Sequence, residues 1–147
     1  MKRPQYEIIP IEKLEQKLNQ IFHNHNEILI AYLYGSYSQG HNTKFSDIDI
    51  GVVLEDSFQE KPLYFASLAY EVKKSFDEVI NIDLRVLNNQ PPRFLFQVLK
   101  NGKLIYFKDK NFKDEFEIKV ITKYLDIKPM LNYFDNLFLK EVYGDEN

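Results

Sequence analysis

The stretch Gly35-Ser36-Tyr37-Ser38-Gln39-Gly40-His41-Asn42-Thr43-Lys44-Phe45-Ser46-Asp47-Ile48-Asp49 decides the fold. Before it runs Ile28-Leu29-Ile30-Ala31-Tyr32-Leu33-Tyr34, a continuous apolar segment that stops at Gly35. Such a run reads as a strand buried on both faces. From Ser46 the pattern alternates, with Asp47, Asp49 and Gly51 on one side and Ile48, Ile50 and Val52 on the other, as a second strand requires. The segment between, Ser36 to Phe45, reads as a short helical turn and a loop. Two aspartates at i and i+2 of a strand point the same way, roughly 7 Å apart. Carboxylates so placed suit magnesium, which takes oxygen ligands together with substrate phosphates, and a pair of such ions can clamp both oxygens of a phosphoryl displacement. Upstream, the Gly35-Ser36 turn offers backbone N–H groups, a hydroxyl and a helix N-terminus to a phosphate, with no side chain at Gly35 in the way.

Working outward, Pro10 opens a segment with Ile11, Leu14, Leu18, Ile21 and Phe22 at helical spacing, which predicts an amphipathic helix. Pro62 begins a second helical pattern through Tyr64, Leu68, Val72 and Phe76. Val79 to Leu87 alternates again, placing Asn81, Asp83 and Arg85 opposite Ile80, Ile82, Leu84 and Val86. Asp83 is thereby a third carboxylate on a polar strand face. Pro91-Pro92 suits the first turn of a helix that runs to about Asn101 and ends at Gly102. Lys103 to Phe107 is a short strand, and the remainder reads as two helices separated near Pro129. Strands alternating with helices predict an α/β (α+β) fold, a small mixed sheet flanked by helices.

At 147 residues the chain fits one domain, 1–147, with a core at about 28–109 and a C-terminal helical segment at about 110–141. The formal net charge of −3 argues against direct nucleic-acid binding, whose footprint is a basic surface. With no cysteine, disulfides, thiolate catalysis and cysteine zinc sites are excluded, which suits a reducing cytoplasm. No apolar run is long enough to span a bilayer, and the opening MKRPQYEIIP lacks the apolar stretch of a secretory signal. His23, His25 and His41 have no carboxylate or cysteine set around them and read as surface residues instead of metal ligands. Lys44 and Arg85, the basic residues nearest the aspartates, are solvated or ion-paired by default, with phosphate binding as the sharper reading. The aromatic residues Phe112, Phe116, Tyr124, Tyr133, Phe134 and Phe138 read first as packing, and as a partner surface where they exceed what one helix face needs.

The stretch GSYSQGHNTKFSDIDIGVVL, Gly35 to Leu54, resembles the signature of the nucleotidyltransferase superfamily that includes DNA polymerase beta. There a Gly-Ser pair is followed by Asp-x-Asp and, on a later strand, a third Asp. Asp83 in VINIDLRVL stands in that third place, and LNNQPPRFLFQVLKNGKLIYFKD resembles the segment after that strand in the minimal nucleotidyltransferases. The resemblance spans roughly Ile28 to Asp109 and implies the nucleotidyltransferase fold. It implies that Gly35 and Ser36 hold the triphosphate of ATP, that Asp47, Asp49 and Asp83 bind two magnesium ions, and that Asp83 helps activate the acceptor. One position departs: many of these sequences carry a basic residue where this chain has Gln39. Proteins of this size and pattern resemble the antitoxin that attaches AMP from ATP to a tyrosine of a HEPN-domain ribonuclease toxin. Two other readings stand beside it: transfer to a small hydroxylated compound, as antibiotic nucleotidyltransferases do, and a non-catalytic module that masks its toxin.

Overall fold

A computed structural model of the chain describes residues 9–35, 47–77 and 80–144. Among these residues four strands form one mixed sheet in the order β3-β2-β1-β4. They are β1 (Ile28–Tyr34), β2 (Ile48–Leu54), β3 (Ile82–Val86) and β4 (Lys103–Phe107). The two central strands, β1 and β2, run antiparallel, β4 lies antiparallel to β1, and β3 lies parallel to β2. A parallel pair needs a crossover, and helix α2 (Tyr64–Ser75) supplies it between β2 and β3. The strand and helix α3 (Pro92–Asn101) bounds expected around Gly35 and Gly102 are met at β1, α3 and β4.

One face of the sheet is apolar from end to end. Ile28, Ala31, Leu33, Ile48, Ile50 and Val52 pack there against Leu14, Leu18 and Phe22 of helix α1 (Ile11–His23) and Leu68 and Val72 of α2. The α1 residues repeat every four positions, one stripe of a 3.6-residue helix. A bulge between Ile28 and Ile30 shifts the alternation of β1, so Ile30, Tyr32 and Tyr34 face the other side. On that second face Ile30, Tyr32, Val53 and Leu87 meet Leu95 and Val98 of α3 and Val120 of helix α4 (Lys110–Tyr143).

Three expectations need correction. The C-terminal segment is one helix of 34 residues with Pro129 inside it, not two helices. Proline removes the N–H that would bond the carbonyl of Leu125, but Leu125 is exposed and water can satisfy that carbonyl. The half beyond Pro129 is also tied back to α3 by the Arg93–Asp135 ion pair at 2.6 Å. Second, α2 begins at Tyr64, because Lys61-Pro62-Leu63 first makes a turn closed by Tyr64 N–H to the Lys61 carbonyl, 3.0 Å. Third, β3 is shorter than its alternating pattern: Ile80 is buried but precedes the strand, and Val79 lies outside the described residues. The aromatic pattern of α4 divides. Tyr124 stacks on Phe96 at 4.0 Å and Phe116 packs on the second sheet face, whereas Tyr133, Phe134 and Phe138 are all more than half exposed. Among the described residues no helix is long and apolar enough to cross a membrane.

Candidate active site

The second sheet face changes character halfway along. Below, it is the apolar cluster under α3 and α4. Above, Tyr34 of β1 pairs with Asp49 of β2, and Asp49 pairs in turn with Asp83 of β3. Directly paired residues share a face, so a tyrosine and two carboxylates stand level across three strands. Asp47 immediately precedes β2, one pleat further up, and is exposed, as is Asp83; Asp49 is half-buried. The structure thus brings together the three aspartates singled out from the sequence.

Gly35 follows Tyr34 at φ +74°, in the left-handed region that favours glycine. A β-carbon there would run into the Asp49 carboxylate. Backbone conformation and close approach therefore both demand glycine at this turn. Ser36, its partner in the expected phosphate cradle, lies outside the described residues, as do Gln39, His41 and Lys44.

The electrostatics arise from the crowding. Burial pushes the pKa of Asp49 above the ordinary carboxylate value, Asp83 and Asp47 push it further, and only Arg85 opposes them. Arg85 sits two residues after Asp83 on the same face, level with Gly51 and Tyr32. Its guanidinium lies over the Phe94 ring at 5.2 Å from the centroid, a cation–π distance. Phe94 in turn meets the Tyr34 ring at 5.8 Å and 90°. The Tyr34 hydroxyl oxygen is buried with no hydrogen-bond partner among the described residues, and burial raises its pKa. A buried hydroxyl left unpaired costs free energy. Tyr34 and Phe94 are site residues that sequence reasoning misses. The signal for Tyr34 is its place at the strand end beside Gly35; Phe94 has none, because only packing carries α3 to this point.

Three carboxylates with no nitrogen or sulfur donor among them suit a hard cation such as magnesium. Among the described residues no three His, Cys, Asp or Glu side chains close into a metal cage. Magnesium does not require one, since one or two carboxylates, waters and substrate phosphates complete its octahedron. The two described histidines stand apart from the site: His25 is held between Glu27 at 3.1 Å and Glu71 at 2.9 Å, and His23 ends α1. A cleft of about 660 Å³ lies at the far end of β1 and β2 along Leu29, Asp56, Lys108 and Phe112. It contains none of the three aspartates, so size alone does not mark the chemistry.

The family model described as Polymerase beta, Nucleotidyltransferase matches residues 16–111. The chain belongs to that nucleotidyltransferase family and is an enzyme of nucleotidyl transfer. No curated protein sequence matches it. Among solved structures it is similar to a chain of a toxin–antitoxin crystal structure with AMP-PNP, at 26% identity and a TM-score of 0.67, over 84% of this chain and 98% of that one. A mutant of the toxin–antitoxin MntA-HpeT is similar at 26% identity and TM-score 0.64, over 89% and 99% of the two chains. A complex of tri-AMPylated Shewanella oneidensis HEPN toxin with MNT antitoxin shares the fold, at 23% identity and TM-score 0.63, over 86% and 98%.

Proposed function

We propose that the chain, as one domain over residues 1–147, is a cytoplasmic antitoxin that neutralises a HEPN ribonuclease toxin by transferring AMP from ATP, with magnesium, onto a toxin tyrosine. The observation that carries this reading is the level row of Tyr34, Asp49 and Asp83, with Gly35 against the Asp49 carboxylate. A toxin–antitoxin pair bound to an ATP analogue, 26% identical to this chain, supports ATP as donor and a toxin as acceptor. The tri-AMPylated toxin in the Shewanella oneidensis complex is a precedent for the product, in a protein alike in fold.

Each residue then has a task. Gly35 and Ser36 hold the triphosphate through backbone N–H groups and the serine hydroxyl. Asp47 and Asp49 hold two magnesium ions, and Asp83 completes the set. Magnesium bound there supplies charge neutralisation at the α-phosphate. Asp83 receives the proton of the attacking hydroxyl, whose oxygen forms a bond to the α-phosphorus while the bond to the bridging oxygen breaks and pyrophosphate leaves. Incubating the purified chain with α-labelled ATP, magnesium and a co-expressed HEPN protein should label a toxin tyrosine. Tight binding without label would sink the enzymatic half of the proposal.

A second reading, silencing by masking, draws on the exposed apolar residues of α4, among them Tyr133, Phe134, Leu137 and Phe138, a surface fit for a protein partner. The Asp47→Asn/Asp49→Asn variant separates the two. Neutralisation that survives it in cells favours masking; neutralisation lost while the partner still binds favours catalysis.

A further inference from the structure

Arg85 lies outside the motif residues, one register row from Asp49 and Asp83 on the same face. Its guanidinium rests on Phe94 and forms no ion pair with a carboxylate among the described residues. A guanidinium whose charge is seated over a ring face still has N–H donors to offer an oxygen ligand.

The register orders the residues around the carboxylates. The row of Tyr34, Asp49 and Asp83 has Gly35 and Asp47 on one side, and the row of Tyr32, Gly51 and Arg85 on the other. In-line displacement at phosphorus puts the attacking oxygen opposite the leaving group. With the tail of the triphosphate at the Gly35 turn, the attacking hydroxyl arrives from the Arg85 side of the carboxylates. We propose that Arg85, seated on Phe94 and beside Tyr34, binds the acceptor oxygen and not the triphosphate. This inference rests on the nucleotidyl transfer proposed above. The acceptor O–H gives its proton to Asp83, the new O–P bond forms, and pyrophosphate departs with the electrons of the broken P–O bond. Arg85 donates hydrogen bonds to that oxygen and stabilises it as charge develops on it.

The test separates nucleotide binding from transfer. Affinity is read by titrating α,β-methylene-ATP, whose bridge cannot be displaced, into wild type, Arg85→Gln, Arg85→Lys and Phe94→Leu. Transfer is read as single-turnover AMP labelling of the HEPN protein at saturating ATP. We expect Arg85→Gln to hold the analogue within about twofold of wild type while transfer falls about 10²- to 10³-fold, as when a donor to a developing oxyanion is removed. Phe94→Leu should slow transfer about tenfold at unchanged analogue affinity, since it removes the ring that seats the cation. Arg85→Lys should recover only part of the rate, and added guanidinium ion should restore transfer to Arg85→Ala, which a merely structural role would not allow. Wild-type transfer by Arg85→Gln, or a tenfold loss of analogue affinity with the saturated rate intact, overturns the inference and leaves the proposed function standing. Wild type that transfers nothing overturns both, and this shows before any variant is made.

Discussion

Glu27 and Asp49 stand at opposite ends of the β1–β2 pair, both partly buried, and their pKa values move in opposite directions. Burial alone would push both up. At Glu27 that push is outweighed by donors: the Tyr64 hydroxyl at 2.7 Å, its own backbone N–H, and His25 at 3.1 Å. Its carboxyl is therefore held below the ordinary range. At Asp49 burial is joined by Asp83 and Asp47, and the carboxyl is held above it. One carboxylate is satisfied inside the fold and ties a loop to α2. The other is pressed against its own kind, an arrangement that costs stability and makes sense for a ligand arriving from outside. The difference sets a carboxylate satisfied by the fold apart from one crowded by its own kind.

The contrast can be broken most forcefully at the aspartates. Asp47→Asn/Asp49→Asn should lower AMP transfer by about 10³-fold or more, the equivalent of several kcal/mol of transition-state stabilisation, with no loss of stability in the melting curve. A rate within tenfold of wild type would place these carboxylates in the same class as Glu27. Gly35→Ala comes next: a left-handed alanine costs about 1–2 kcal/mol, and its methyl group meets the Asp49 carboxylate. Chemical denaturation should show the loss, and nucleotide titration a weakened site.

Tyr64→Phe probes the other end, removing a hydrogen bond worth about 1 kcal/mol. Because the folded pKa of Glu27 lies below 4.5, its stabilisation is complete above pH 4.5 and is lost as pH falls through the folded value. The deficit of the variant should thus be full at pH 7 and fade in urea melts as the pH is taken below 4.5. The smallest effect has the opposite sign. Asp49→Asn alone should raise stability at pH 7 by about 0.2–1 kcal/mol, the scale of relieving like charges across a strand pair. The folded pKa of Asp49 lies above 3.8, so ionised Asp49 destabilises the fold, and the gain should shrink as acid protonates it. A loss of stability at pH 7 would mean that Asp49, like Glu27, holds the fold together.

Much of the molecule is legible in its sequence. The elements β1, α3 and β4 are bounded by Gly35, the Pro91-Pro92 pair and Gly102, residues that end or begin elements for local steric reasons. Alternation places Asp47, Asp49 and Asp83 on polar faces because side chains reverse at every residue of a strand. The single α4 is not legible, since Pro129 is a local breaker whose cost depends on whether water reaches the freed carbonyl and whether Asp135 finds Arg93. The bulge that turns Tyr34 toward Asp49 is hidden for the same reason: it is a property of strand pairing, not of either strand alone.

The sequence by itself determined the class of chemistry: a glycine turn and three acidic residues on strand faces, each set by short-range geometry. Only the tertiary structure decided that Asp83 stands level with Asp49, that Tyr34 completes the row, and that Phe94 seats Arg85 on the side away from Gly35. Those placements depend on strand order and on where α3 packs. Both are settled by burial between segments distant in the chain, and a local pattern of residues carries no record of that.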